Sequence, residues 1–69
     1  MERESVRSSN LKSVGYDDTN QILEIEFHHG GVYRYFGVFE NVYDELMSAN
    51  SKGSYFSSNI KNFYRTQKL

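Results

Sequence analysis

The sequence predicts an α+β domain in which a three-stranded antiparallel β-meander is followed by two short helices packed on one sheet face. Three observations predict it. Leu23, Ile25 and Phe27 alternate with Glu24 and Glu26, the period of two that marks a half-buried strand. From Glu40 to Ala49 the period changes, and Val42, Tyr43, Leu46, Met47 and Ala49 fall along one helical stripe. Between these stretches, His28-His29-Gly30-Gly31 separates two β-rich runs and has the composition of a hairpin turn.

The elements follow in order. Residues 1–10 are polar and hold a single aliphatic, Val6, so residues 1–8 read as a flexible arm that would order on a partner. A first strand runs from Leu11 to Tyr16 and is closed by the turn formers Asp17-Asp18-Thr19-Asn20. The second strand is Gln21–Phe27 and the third Val32–Phe36. A two-residue Gly30-Gly31 loop would put Tyr33 and Tyr35 on the glutamate face. A three-residue His29-Gly30-Gly31 loop pairs Phe27 with Tyr33 and Ile25 with Tyr35, so both tyrosines join the core face. The other face then holds Glu24, Glu26, Arg34 and Phe36, with a Glu26–Arg34 pair expected across the strands. The first helix spans 40–49 and stops at Asn50-Ser51-Lys52-Gly53; Ser54 caps a second, Tyr55 to Tyr64, that buries Phe56, Ile60 and either Phe63 or Tyr64. The domain proper is 9–64, and 65–69 form a basic tail.

A chain of 69 residues holds one domain and buries only about 60% of its unfolded surface, so any pocket is shallow or shared. Six Tyr and five Phe stand against twelve Val, Ile and Leu, which predicts an aromatic core. No cysteine is present, which excludes disulfides and thiolate chemistry and fits a cytoplasmic protein. No apolar run is long enough for a membrane span, and the N-terminus is too polar for a secretory signal. The net charge of −1 conceals a gradient: residues 1–16 carry +1, residues 17–45 carry −6 and residues 46–69 carry +4. A pI near 6.0 lacks the strong basic signature of a nucleic-acid-binding domain, but the C-terminal third offers a local basic face.

The residues form no catalytic constellation, and the expectation is a non-enzyme without cofactor or metal. His28 and His29 are adjacent and point in different directions. Asp17, Asp18, Glu24 and Glu26 lack a nucleophile or a ligand motif. Gly30-Gly31 lacks the strand–loop–helix context of a phosphate cradle. Arg34 between Tyr33 and Tyr35 has the composition of a base-stacking platform, whereas the preferred register packs both tyrosines under the helices.

Read together, Ser9, Val14-Gly15-Tyr16, Leu23-x-Ile25-x-Phe27, Gly31, Tyr33-x-Tyr35, Val38, Tyr43, Leu46, Ala49, Ser51-x-Gly53-x-Tyr55-Phe56 and Ile60 resemble the KTSC domain. That family takes its name from the C-terminus of some lysyl-tRNA synthetases and also occurs as small bacterial and phage proteins. The resemblance covers roughly Ser9–Tyr64 and departs at Phe39, where the family usually has proline after the valine. It implies a small binding module for which RNA is a suggested ligand. Two functional expectations follow. In the first, RNA binds through Lys52, Lys61, Arg65 and Lys68, with help from Gly53, Tyr55, Tyr64 or Phe39 and with Tyr33 and Tyr35 as further candidates. In the second, Ile22, Phe36 and Phe39 form an interface for a protein partner, as in a phage-encoded inhibitor, or for a second copy in a homodimer.

Overall fold

Five strands, two more than expected, form one antiparallel sheet in the computed structural model, which describes residues 1–69. β1 (Glu4–Ser5), β2 (Leu11–Asp17), β3 (Ile22–Phe27), β4 (Val32–Phe36) and β5 (Arg65–Lys68) lie side by side in sequence order. Two helices, α1 (Glu40–Ser48) and α2 (Lys52–Asn59), intervene between β4 and β5.

The two added strands come from the segments expected as a flexible arm (1–8) and a basic tail (65–69). Glu4 pairs with Val14 and Ser5 with Ser13, while Phe36 pairs with Arg65 and Tyr33 with Lys68. Hydrophobic alternation gave no signal for either, because every residue of β1 and β5 is exposed. Cross-strand cation–ring contacts add to the backbone pairing of β5. The Arg65 guanidinium lies 4.7 Å from the centre of the Phe36 ring, and Lys68 Nζ lies 5.9 Å from that of Tyr33. A short, polar, cationic edge such as β5 also resists unwanted sheet extension.

The hairpin register differs from expectation by two residues. Ile25 faces Tyr33 and Leu23 faces Tyr35. The reversal is made by His28-His29-Gly30: Phe27 N–H donates to the Gly31 carbonyl (3.1 Å) and Gly30 N–H to the Phe27 carbonyl (3.0 Å). Gly30 and Gly31 both take positive φ, 107° and 92°, so two glycines are required where one was expected. A slip of two preserves the facing of side chains. Tyr33 and Tyr35 therefore still lie on the helix-covered face, but Arg34 pairs with Glu24 instead of Glu26, Nε to Oε1 at 2.8 Å. On β2 an irregularity between Leu11 and Ser13 lets Leu11 and Val14, three apart, both reach the core.

Leu46, the one buried residue of α1, and Phe56 of α2 pack with Ile60 on Leu11, Val14, Leu23, Ile25, Phe27, Tyr35 and Val38. The second helix starts three residues earlier than expected and ends at Asn59. Ser51, not Ser54, is its N-cap, and its Oγ accepts the Ser54 N–H at 3.2 Å. Gly53 sits in the first turn instead of ending α1, which stops at Ala49. A Cβ on Gly53 would meet Asn10 Cβ at 3.6 Å, an ordinary packing distance, which shows how closely the 8–10 segment lies against the start of α2. Beyond Asn59 the chain turns on buried Ile60; Tyr64 packs against the core, and Phe63 is exposed.

Phe39, the departure from the family pattern, is the N-cap of α1 with φ −74° and ψ 153°, and the residue is 62% exposed. Its N–H makes no backbone hydrogen bond. Proline's fixed φ of about −65° fits that backbone. Phe39→Pro is therefore expected to stabilise the fold by about 0.4–1 kcal/mol through the unfolded state, a rise of a few degrees in Tm by circular dichroism. A fall in Tm would show that the Phe39 ring contributes contacts the proline cannot replace.

Candidate functional site

Strand alternation carries Phe27, Tyr33 and Tyr35 to the helix-covered face, where Phe56 of α2 meets them. The Phe56 ring stands edge-on to Phe27 (5.3 Å, 63°) and to Tyr35 (5.5 Å, 78°), and Phe27 is edge-on to Tyr33 (5.6 Å, 75°). These four rings do not close over one another. They leave an open pocket of about 260 Å³, rimmed by Asn10, His29, Ser57 and Lys61.

Each rim residue arrives by a local device. His29, in the hairpin turn, folds back and stacks on Phe27 at 5.3 Å and 14°. His28 diverges from it, donating Nε2–H to the Ser8 carbonyl (3.0 Å), while its backbone N–H donates to the Asn10 carbonyl (3.0 Å). The turn thereby anchors the 8–10 segment beside the pocket. At the end of α2 the N–H groups of both Ile60 and Lys61 donate to the Phe56 carbonyl at 2.9 Å, which wraps Lys61 back to the pocket mouth. A second hollow of about 360 Å³, lined largely by the hydroxyls of Ser9, Ser51, Ser54 and Ser58, adjoins the first and shares Asn10 and Ser57 with it.

The tyrosines divide by hydrogen bonding. Tyr16 donates to the Val38 carbonyl (2.6 Å) and Tyr55 to Glu45 Oε1 (2.9 Å). Burial first, then the Glu45 hydrogen bond, pushes the Tyr55 hydroxyl up to about 12. Burial, with a smaller effect from Tyr33, pushes Tyr35 to the same value.

The helix-free sheet face is organised differently. Glu24, only 3% exposed, accepts from Arg34 on one side and from Arg3 on the other. Arg3 Nε also donates to Ser13 Oγ (2.9 Å), and that hydroxyl donates to Glu26 Oε1 (2.9 Å). Gly15 makes room for the crossing, since a Cβ there would lie 3.1 Å from Arg3 Cγ and 2.6 Å from the Glu2 carbonyl oxygen. Burial alone would raise the Glu24 carboxyl, but the hydrogen bonds from Arg34 and Arg3 outweigh it and hold it below its ordinary value. A depressed folded value gives stability that is present above the unfolded pKa and is lost as pH falls through the folded one. Glu24→Gln is expected to cost about 1–2 kcal/mol at neutral pH, discounted for the exposure of both arginines, and to flatten the loss of Tm below about pH 4. Identical acid profiles for the two proteins would remove Glu24 as the titrating group.

The structure thus sorts the candidate residues. Tyr33, Tyr35 and Lys61 come together in the aromatic pocket, and Gly53 lines the adjoining hollow. Lys68 approaches the Tyr33 ring from β5. Lys52 lies apart, donating to the Ala49 carbonyl (3.4 Å), and Tyr55 is engaged by Glu45. Arg65 lies over Phe36, whose strand partner Ile22 faces the same way, on the helix-free side. Sequence reasoning missed Asn10, Phe27, His29, Phe56 and Ser57 as pocket residues. Phe27 and Phe56 read as core, and nothing local marks Asn10, which reaches the site only through the fold. No group of three or more His, Asp or Glu side chains converges, and no helix is long and apolar enough to cross a membrane.

The family model described as KTSC domain matches residues 7–64. An uncharacterized protein of Stutzerimonas stutzeri is 44% identical over 61 residues, covering 88% of this chain and 86% of the relative. A lysine–tRNA ligase of Trichormus variabilis is 43% identical over 59 residues, 86% of this chain but 10% of the ligase. The crystal structure of a KTSC domain protein from Yersinia pestis superposes with a TM-score of 0.97 at 43% identity, covering 99% of this chain and 96% of that one.

Proposed function

The chain belongs to the KTSC domain family, and we propose that it is a non-catalytic module that binds single-stranded RNA at the aromatic pocket between α2 and the sheet. The observation that carries this reading is the pocket itself: four aromatic rings with Lys61 at the mouth and Lys68 beside Tyr33. Phe27, Tyr35 and Phe56 are 4–6% exposed and form the floor, so the half-buried Tyr33 ring with Lys61 and Lys68 near it is the stacking element, and an accessible aromatic flanked by cations serves single-stranded nucleic acid. Two further facts support it. Ser9, Tyr33, Tyr35, Ser51, Gly53 and Phe56, all among the residues that carry the family pattern, line the two adjacent hollows. The same domain also occurs as a small part of ligases whose name links them to tRNA.

With a net charge of −1 the electrostatic contribution is small and local, so stacking must supply much of the affinity. The test is fluorescence anisotropy of a short labelled single-stranded RNA across a salt series. Two lysine–phosphate contacts predict a slope of log K against log salt of about −1.4. Absence of binding at low salt would overturn the reading.

A second reading rests on the cross-strand pair Ile22 and Phe36 on the face that no helix covers. It assigns that face to a protein partner or a second copy, and light scattering at high protein concentration tests the self-association.

A further inference from the structure

We propose that the pocket is a receptor for one unpaired nucleobase, whose edge accepts a hydrogen bond from the Tyr35 hydroxyl at the pocket floor. The inference rests on the RNA reading and deepens it from a surface to a defined subsite.

Tyr35 is the group that calls for a ligand. Its residue is 4% exposed and its ring is wedged against Phe56, yet its hydroxyl has no partner in the protein. No side-chain oxygen or nitrogen sealed inside the fold lacks a hydrogen bond, so this hydroxyl is accessible, and Tyr35 is one of the residues that line the pocket. The hydroxyl of an otherwise buried tyrosine is thus left accessible and without a protein partner beside a cleft of mixed polar and apolar lining, where a ligand can pair it. Like any tyrosine hydroxyl it is protonated, and so a donor, at physiological pH, and burial moves its pKa further up.

The remaining walls set the class of ligand. The pocket's volume of about 260 Å³ lies just below the roughly 300–1,000 Å³ of sites for larger ligands, which suits a single flat ring system. Phe27 stands edge-on to both Tyr33 and Phe56, and of these rings only the half-buried Tyr33 leaves surface open to an incoming ring, with the buried edges of Phe27 and Phe56 beneath it. Lys61 at the mouth places a cation where a base bound at the floor carries its phosphate. The hydroxyl-lined hollow lies next to the pocket and shares Asn10 and Ser57 with it, which puts hydroxyl groups beside the bound base for a chain that runs on from it.

The experiment compares wild type, Tyr35→Phe and Ser57→Phe. Tyr35→Phe removes only an unpartnered hydroxyl, and Ser57 is exposed, so neither substitution disturbs the core. The probes are short homopolymeric RNAs of each base, an abasic ribose-phosphate oligomer of the same length, and the four nucleoside monophosphates. Wild type is expected to bind at least one base-bearing oligomer about tenfold or more above the abasic one. Tyr35→Phe is expected to reduce the preference among bases by about three- to tenfold while retaining salt-dependent binding. Ser57→Phe, which fills the mouth, is expected to lower every affinity to the abasic level. Equal affinity of wild type for abasic and base-bearing oligomers overturns the subsite and leaves the RNA reading standing. An unchanged base preference in Tyr35→Phe overturns the role of Tyr35. Monophosphates bound as tightly as oligomers would support the base subsite and replace RNA with a free nucleotide; no binding by any probe overturns both.

Discussion

Reversing Lys61 and Lys68 together, as Lys61→Glu and Lys68→Glu, is expected to weaken binding of a short single-stranded RNA by at least about 25-fold at about 0.1 M salt. The figure follows from two lost phosphate contacts, each contributing about 0.7 to the salt slope. Both side chains are exposed, and each sits against the aromatic site: Lys61 rims the pocket, and Lys68 lies 5.9 Å from the Tyr33 ring. The reversed protein should also lose its salt dependence. Arg65→Glu is the internal control. That guanidinium stacks on Phe36 on the other side of the sheet, so its reversal is expected to change RNA affinity by less than about twofold. Anisotropy titrations of the three proteins check both statements. An Arg65→Glu effect as large as that of the lysine pair would move the RNA to the helix-free face.

Leu46→Ala carries the largest expected effect on stability. Leu46 is fully buried and is the only residue of α1 that is, so its side chain fastens the helix to the sheet. Truncation of such a leucine costs about 3 kcal/mol or more, through lost transfer energy and an unfilled cavity. A domain of this size has only about 3–10 kcal/mol in total. The expected consequence in thermal unfolding is a fall in Tm of about 12–24 °C. A shift of a few degrees would mean that α1 is held mainly by its half-buried neighbours Val42, Tyr43 and Met47.

How far these features were legible in the sequence depended on what each residue's neighbours were. The inner strands were legible because Leu23, Ile25 and Phe27 alternate with charges, and the helical stripe of α1 because its period differs from two. The edge strands were not. Arg65-Thr66-Gln67-Lys68 buries nothing, so its pairing with β4 is a backbone event that leaves no apolar pattern. The facing of Tyr33 and Tyr35 could be argued from the need to keep apolar residues together, since that argument fixes parity. It could not fix the register itself, because a slip of two conserves parity, and the positive φ at both Gly30 and Gly31 decided the outcome. The start of α2 was displaced because Gly53 reads as a terminator, whereas Ser51 supplies a cap two residues before it.

The site follows the same division. Tyr33, Tyr35 and Lys61 were named from composition and charge, but the pocket's shape depends on Asn10, His29 and Phe56, which are distant in sequence and meet only once the meander and α2 are assembled. Grouping the cationic residues by sequence also merged two surfaces. Alternation along β5 sends Arg65 to one face and Lys68 to the other, which separates candidates that lie three residues apart.

The most direct test of the central claim is to map amide chemical-shift changes on the isotope-labelled protein as a short single-stranded RNA is added. The account predicts that the shifts concentrate on Asn10, His29, Tyr33, Tyr35, Ser57 and Lys61 and saturate with one site. Shifts concentrated instead on Ile22, Glu24, Arg34 and Phe36, or none at all, would contradict it.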